Sequence, residues 1–249
     1  MSSAAFIILV AMEDELAPFL ERAEDVGPAR QIGNAVHRDA VLAGHPVVLV
    51  RTGIGLVNAA GAATSAILEA QRAGGNTEHP LVISAGSAGG LGAGVRVGDV
   101  VVGTRYINVD ADARAFGYKL GQVPGMPEIY PAPESLTESV RTAQSGGTIP
   151  MHHGLIVSSY NFVTPARAEL ITGSFPGALA TDMESSAIAQ TCFVFGAPFI
   201  SVRGISDLCG PAAEDDFRDQ VDDAATQSAN VVTSSLDALA GVAGAFQPA

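Results

Sequence analysis

The chain alternates short apolar runs with longer amphipathic stretches. Apolar residues at helical spacing predict four helices, and the short apolar runs predict buried strands. Strands that alternate with helices are typical of a mostly parallel sheet covered on both faces, which is a three-layer α/β/α architecture. The predicted strands are Ala5–Ala11, Pro46–Arg51, Leu81–Ala85, Asp99–Gly103, Gly154–Ser158 and Pro198–Ile205, and the predicted helices are Glu13–Glu24, Gly55–Arg72, Met183–Phe195 and about Asp215–Ala240.

One long segment shows neither pattern. Asn108–Tyr130 contains several glycines and prolines, together with Phe116 and Tyr118. A long irregular segment inside a compact domain is usually functional or interfacial. No repeat and no change of composition divides the chain, so the sequence predicts a single domain over residues 1–249.

The charge balance limits the partners of the protein. The 249 residues include 26 Asp and Glu against 13 Lys and Arg, which gives a formal net charge of -13. This acid excess argues against nucleic acid as a partner, because binding a phosphate backbone needs clustered Lys and Arg. No stretch approaches the roughly 18 uncharged apolar residues of a membrane-spanning helix, so no membrane partner is expected.

The cysteines and the first residues indicate a cytoplasmic protein without a metal. A structural zinc site needs four closely paired ligands, and Cys192, Cys209 and five scattered histidines do not supply them. Two reduced thiols are typical of the cytoplasm. Glu13 and Asp14 directly follow the first apolar run, and no basic segment precedes it, which argues against a signal peptide.

A glycine-rich segment, Ser84–Gly94, follows the third predicted strand. Backbone without side chains can come close to a ligand. The segment matches neither G-x-x-x-x-G-K-[ST] nor G-x-G-x-x-G, so we expect no nucleotide cofactor, and indeed no cofactor of any kind. A tight turn between two strands is the alternative interpretation.

Three carboxylates fall where predicted strands end, the edge at which sheets of this kind bind ligands. Glu15 lies on the inward face of its helix with Met12 and Phe19, and the helix dipole favours its ionised form. Asp207 directly follows a buried run, where desolvation raises the pKa of a carboxyl group and suits it to donate a proton. Glu184 opens a later helix. Two carboxylates, one an acid and one activating water, can cleave a glycosidic bond.

Structural interpretations of these residues remain open on the sequence alone. Glu15 could be a first-turn acid that only stabilises its helix, and Asp207 could be a helix N-cap, although Gly210 and Pro211 intervene before the next helix. Arg203 lies inside a predicted strand and needs an anionic or carbonyl partner if it is buried.

Several longer blocks of the chain occur in a characteristic order. They are Ala11–Glu15, Gly53–Ala60, Gly86–Gly90, Val97–Val102, Asp110–Tyr118, Gly121–Gly125, Met183–Ala189 and Arg203–Asp207. Together these blocks resemble the 5′-methylthioadenosine/S-adenosylhomocysteine nucleosidases of the nucleoside phosphorylase superfamily, over about residues 5–240. The resemblance implies the fold of that superfamily, with a mixed, mostly parallel sheet.

The resemblance implies release of adenine by hydrolysis and a role for each matching residue. Asp207 would protonate adenine N7 with help from Ser206. Glu15 would polarise the attacking water near Ser87 and Arg203, and Glu184 would accept hydrogen bonds from the ribose hydroxyls. The implied substrate-binding residues are Met12, Ile54, Ser87, Ala88, Gly89, Phe162, Val163, Met183, Arg203 and Phe217.

The resemblance also implies a homodimer. In the family, the loop that here carries Phe116, Tyr118 and Pro124 reaches into the site of the neighbouring subunit. The small-molecule nucleoside is the other implied partner.

The chain departs from the usual family pattern near the site. Ser158–Tyr160 stands where Ser-Gly-Asp is usual, Ile107–Val109 stands in place of Arg-Tyr-His, and Asp182 replaces a glutamate. We expect these differences to affect selectivity for the 5′ substituent and on the adenine side, with Tyr160 the most prominent.

Other functions compete with this hypothesis. A phosphorylase must hold a phosphate dianion, and Glu13, Asp14 and Glu15 would repel it, which favours hydrolysis. The alternative substrates are other 5′-modified purine nucleosides, such as aminodeoxyfutalosine or 5′-deoxyadenosine. A non-enzymatic nucleoside-binding protein is the alternative from another class.

Overall fold

A computed structural model describes residues 6–74 and 80–243. Its helices are α1 (Glu13–Arg22), α2 (Leu56–Gly74), α3 (Glu134–Ala143), α4 (Pro165–Ser174), α5 (Ser185–Phe195) and α6 (Ala213–Ala243). Its strands are β1 (Phe6–Val10), β2 (Arg30–Ile32), β3 (Ala35–Leu42), β4 (His45–Arg51), β5 (Leu81–Gly90), β6 (Val100–Asn108), β7 (Tyr130–Pro131), β8 (Met151–Ser158), β9 (Ala178–Asp182) and β10 (Phe199–Asp207).

The strands form one mixed sheet that closes on itself at one end. The order is β10-β6-β8-β9-β5-β1-β4-β3-β2, with β7 beside β6. β10 also pairs with β5 in parallel, so β5, β10, β6, β8 and β9 make a closed ring from which the other strands extend. The predicted α/β class is confirmed, and the closure brings the ends of β5, β9 and β10 together.

Two cores lie on opposite faces of the sheet, because alternate residues of each buried strand point to opposite sides. Phe6 and Ile8 of β1 pack with Leu16 and Phe19 of α1 and with α3 and α6. On the other face, Ile7 and Leu9 pack with the alanines of α2 and with α5. The long apolar runs of the sequence are therefore strands covered on both sides.

The glycine-rich segment is a strand for most of its length. β5 continues to Gly90, so the predicted strand end at Ala85 is wrong, and so is the alternative interpretation of the segment as a tight turn. Pairing with β10 runs from Val82 to Gly89, and β9 takes over the other edge at Gly89 and Gly90. The glycines of β5 have low strand propensity, but hydrogen bonding to neighbouring strands on both edges keeps this segment in the sheet.

Several elements escaped the sequence analysis because their apolar pattern is short or one-sided. β3 is eight residues long, but His37, Arg38 and Asp39 interrupt its apolar residues, so the search for continuous apolar runs missed it. The other elements that were missed are β2, β7, β9, α3 and α4. The first predicted strand begins at Ala5, which lies outside the described residues; β1 itself is present from Phe6. The long segment Asn108–Tyr130 is irregular apart from a 3₁₀ turn at Arg114–Phe116.

No helix within the described ranges is both long enough and apolar enough to cross a membrane. Within the same residues, His, Cys, Asp and Glu do not come together in groups of three or more that could hold a metal ion.

The packing of α6 on β10 leaves no room for a side chain at Gly204. A Cβ added there would lie 2.0 Å from the carbonyl oxygen of Ala224. We expect Gly204→Ala to lower the free energy of unfolding by about 3 kcal/mol, the upper end of typical overpacking costs, as measured by urea denaturation. Gly241 lies in α6, and a Cβ added there would have nothing within 4 Å. Gly241→Ala should therefore raise the free energy of unfolding by up to about 1 kcal/mol. Equal stability of Gly204→Ala and wild type would contradict this packing.

Candidate active site

A cavity of about 210 Å³ opens where β5, β9 and β10 end. Carboxylates, small residues and aromatic rings line it, and no Lys or Arg is among its described lining residues. Twelve residues predicted from the sequence line this cavity: Met12, Glu15, Ile54, Ser87, Ala88, Gly89, Phe162, Met183, Glu184, Ser206, Asp207 and Phe217.

The remaining predicted residues lie elsewhere. Val163 is buried and lines a small adjoining cavity of about 50 Å³. Arg203 lies beneath the cavity floor, hydrogen-bonded to residues of β5. Phe116, Tyr118 and Pro124 do not line the described cavity of this chain, and Phe116 is 83% exposed.

Glu15 is held on both carboxylate oxygens. One oxygen accepts from the backbone N–H of Ala11 at 2.7 Å and of Met12 at 3.3 Å, at the start of α1. The other accepts from the N–H and the hydroxyl of Ser87, at 2.8 and 3.0 Å. Glu15 therefore joins α1 to β5, and the interpretation that it only stabilises its own helix is wrong.

The close approach of Glu15 to β5 requires Gly86. Gly86 has φ +139°, and a Cβ there would lie 2.3 Å from the Glu15 carboxylate. A side chain at this position would be strained and would also displace the carboxylate. The lack of a side chain at Gly86 therefore allows the Glu15 carboxylate to lie against β5.

Asp207 is the last residue of β10 and is 3% exposed. Its carboxylate accepts from the hydroxyl of Ser206 at 3.0 Å and from the backbone N–H of Cys209 at 2.9 Å. Burial raises the pKa of Asp207, in the direction predicted, although these two hydrogen bonds oppose the shift. α6 begins only at Ala213, so Asp207 is not its N-cap. A carboxyl group that keeps its proton to higher pH is suited to act as an acid.

Arg203 is fully buried and has the anionic partners that the sequence required. Its guanidinium lies 2.9 Å from the carboxylate of Asp182 and 3.7 Å from that of Glu184. It also donates to the hydroxyl of Ser84 at 2.6 Å. Asp182 was noted in the sequence only as a substitution; a buried arginine signals that it needs an acid but does not say which one.

Glu184 lies between α2 and this ion pair. Its carboxylate accepts from the backbone N–H of Gly55 at 3.0 Å and of Met183 at 3.3 Å. Burial, together with the neighbouring Asp182 and Glu15, raises the pKa of Glu184 to about 7, although Arg203 acts against the shift. Glu184 is one of the residues that line the cavity.

Two aromatic rings form another wall. Phe162, on the loop between β8 and α4, and Phe217, near the start of α6, meet edge to face with centroids 5.9 Å apart. Phe162 is 46% exposed, so the ring faces solvent across the cavity mouth. Such a wall can pack against a flat heterocycle.

A larger cavity, of about 340 Å³, lies between α5 and the segment that follows β6. Its lining is apolar except for Tyr106, Tyr130 and Cys192. Burial raises the pKa of all three, so they are neutral at ordinary pH, and no Asp, Glu, His, Lys or Arg is among the described residues that line this cavity. The smaller cavity is therefore the candidate active site.

The fold and this cavity define a class. A mixed sheet, closed at one end, with carboxylates and a wall of aromatic rings where its strands end, is the arrangement of a nucleoside-processing enzyme, and the family model described as Phosphorylase superfamily matches residues 5–237. The chain belongs to that superfamily and, within it, to the 5′-methylthioadenosine/S-adenosylhomocysteine nucleosidases.

Two nucleosidases support the narrower assignment, and a third relative has a different named activity. The nucleosidase of that name from Geobacillus sp. is 38% identical over 93% of this chain and 97% of its own. The Neisseria meningitidis nucleosidase, solved with methylthio-immucillin-A, is 36% identical with a TM-score of 0.85, covering 93% and 97%. A futalosine hydrolase from Helicobacter pylori has the same TM-score at 28% identity, covering 94% and 98%.

The raised pKa of Glu184 predicts a pH-dependent stability. An unfolded glutamate releases its proton near pH 4.5 and the folded one near 7, so the raised pKa favours folding below about pH 4.5, and this contribution is lost as pH rises through 7. Glu184→Gln cannot ionise and keeps an acceptor for Gly55. The Tm of this variant, minus that of wild type, should therefore increase between pH 5 and pH 8 by calorimetry. A difference that stays constant would contradict the raised pKa.

Proposed function

We propose that the protein is a hydrolase that cleaves the N-glycosidic bond of 5′-methylthioadenosine, S-adenosylhomocysteine or both and releases adenine. The observation that carries the proposal is the pairing of two differently held carboxylates in one cavity: Glu15, fixed by four donors, and Asp207, buried with a raised pKa. The chain also shares 38% identity with a nucleosidase for these substrates.

The reaction divides between these carboxylates. The bond between the sugar C1′ and adenine N9 breaks while Asp207 gives its proton to N7, so the base leaves neutral. Ser206 orients the Asp207 carboxyl through its 3.0 Å hydrogen bond. Water attacks C1′, and Glu15 takes the proton that the water loses. One proton is given and one taken, which balances the hydrolysis.

Further residues bind the nucleoside. Glu184 accepts hydrogen bonds from the ribose hydroxyls, and Met183 packs on the sugar. Phe162 and Phe217 stack against adenine, the Val163 backbone bonds its edge, and Met12 and Ile54 line the 5′ side. Ser87 lies on the water side, bonded to Glu15, whereas Arg203 lies beneath the cavity floor and supports the Glu184 carboxylate from 3.7 Å. Ala88 and Gly89 leave space for the base beside Asp207.

We also propose that the enzyme works as a homodimer. Phe116, Tyr118 and Pro124 lie on the long segment after β6, and Phe116 is the most exposed large apolar side chain of the described residues. A long irregular loop in a compact domain is usually functional or interfacial. In the proposed dimer, Phe116 lies against the cavity of the second copy.

Hydrolysis and phosphorolysis differ in their response to phosphate. A phosphorylase needs cationic groups for a dianion, and the described lining of this cavity has acids and no Lys or Arg. We expect adenine release from 5′-methylthioadenosine to be unchanged by added inorganic phosphate, in an assay that compares 5′-modified adenosines with and without it. A rate proportional to phosphate would overturn the hydrolase proposal. Preference for aminodeoxyfutalosine would favour the alternative function, hydrolysis of another 5′-modified purine nucleoside. The similarity to a futalosine hydrolase supports this alternative.

Removing the proton donor should separate chemistry from binding. Asp207→Asn keeps the shape and the acceptor for Cys209 but cannot protonate N7, so we expect kcat to fall by two to four orders of magnitude, the usual size of a general-acid effect. The Kd for 5′-methylthioadenosine, from calorimetry, should change little. Near-normal kcat in this variant would show that another group is the acid.

A further inference from the structure

The loop that bears Phe162 also carries a tyrosine that the mechanism does not use. Tyr160 lies on the loop between β8 and α4 and is 50% exposed. Its phenol oxygen accepts from the backbone N–H of Val57, in the first turn of α2, at 3.0 Å. The side chain therefore links the loop that bears Phe162 to the turn that bears Ile54.

The loop end of this link is firmly held. The backbone N–H of Tyr160 donates to the carboxylate of Asp110 at 2.7 Å. The same carboxylate accepts from the hydroxyl of Ser159 at 3.1 Å and from the guanidinium of Arg167. These bonds fix the backbone from which the tyrosine ring extends.

The other end acts on Gly55. A Cβ built on Gly55 would lie 3.4 Å from the ring of Tyr160, so the ring lies beside the glycine. Gly55 has φ +102°, a conformation that side chains rarely adopt, and its N–H donates to Glu184. The tyrosine thus borders Gly55 with its ring and bonds the backbone two residues further on, at Val57.

The bond from Gly55 is the shortest polar contact of the Glu184 carboxylate, at 3.0 Å against 3.3 Å to the N–H of Met183 and 3.7 Å to Arg203. Anything that lets the turn at Gly55 move therefore lets the carboxylate move.

We propose that Tyr160 is a positioning residue for Glu184 and acts through Gly55. The proposal rests on the proposed function, in which Glu184 accepts the ribose hydroxyls. It assigns to the tyrosine an effect on recognition of the sugar hydroxyls, transmitted through two hydrogen bonds and one ring contact.

The test compares wild type, Tyr160→Phe and Tyr160→Ala on 5′-methylthioadenosine and on its 2′-deoxy and 3′-deoxy analogues. We expect Tyr160→Phe to lower kcat/KM for the full ribose substrate about 2- to 10-fold, the range for losing one hydrogen bond. Tyr160→Ala, which also loses the ring contact, should lower it further. The loss on an analogue without the hydroxyl bound by Glu184 should be less than about 2-fold, because that contact is already missing. The kcat/KM of each variant is divided by that of wild type on the same substrate. This ratio cancels the greater intrinsic lability of the glycosidic bond in deoxy sugars.

Leu170→Ala is the matched surface control, since Leu170 is 70% exposed on the helix that follows the same loop. Its kcat/KM should equal that of wild type on all three substrates. Equal losses for Tyr160→Phe on ribose and deoxy substrates, or no loss at all, would overturn the proposal.

A readout independent of turnover distinguishes failure of this proposal from failure of the proposed function. Amide hydrogen exchange of the segment 53–58 should be faster in Tyr160→Phe than in wild type, because the N–H of Val57 loses its acceptor and that of Gly55 its fixed geometry. Unchanged exchange would overturn the positioning role whatever the substrate is. If wild type releases no adenine from 5′-methylthioadenosine while exchange still responds, the proposed substrate is wrong and the link is retained.

Discussion

The geometry of the site depends on one buried cation. Arg203 is 1% exposed, and a guanidinium in that environment is strongly destabilising unless acids and hydrogen-bond acceptors surround it. Those groups come from different elements: Asp182 ends β9, Glu184 precedes α5 and Ser84 belongs to β5. Satisfying the arginine therefore fixes the relative positions of β5, β9 and β10. The same three strand ends form the cavity.

More negative than positive charge lies around Arg203. Asp182, Glu184 and Glu15 all act on one guanidinium. The excess negative charge, added to burial, appears in the raised pKa of Glu184. Glu15 is stabilised differently, by donors from α1 and β5, and Asp207 is buried beside a hydroxyl. The three acids thus lie in different surroundings, which is what the proposed division into a proton donor and a proton acceptor requires.

Much of this arrangement could be predicted from local sequence. Apolar runs gave the two-sided strands, and acids placed directly after them gave Glu15 and Asp207, because a strand end is also a sheet edge. β3 was missed because polar residues interrupt its apolar positions, and α3 because its apolar pattern covers one face only. β5 was cut short because glycine has low strand propensity. The resemblance in motifs, rather than periodicity, supplied Phe162 and Ile54. Asp182 and Tyr160 could not be assigned roles from spacing, since their partners are 21 and 103 residues away.

By itself, the sequence determined the α/β class, the main strands, the family and most of the residues that line the cavity. These depend on patterns and motifs that extend over a few neighbouring residues. Only the tertiary structure decided that the sheet closes through β5 and β10, that Asp182 pairs with Arg203 and that Tyr160 reaches Val57. The physical reason is that a buried charge or an unpaired N–H specifies what kind of partner it needs but not where along the chain that partner is. The packing of distant segments makes that choice.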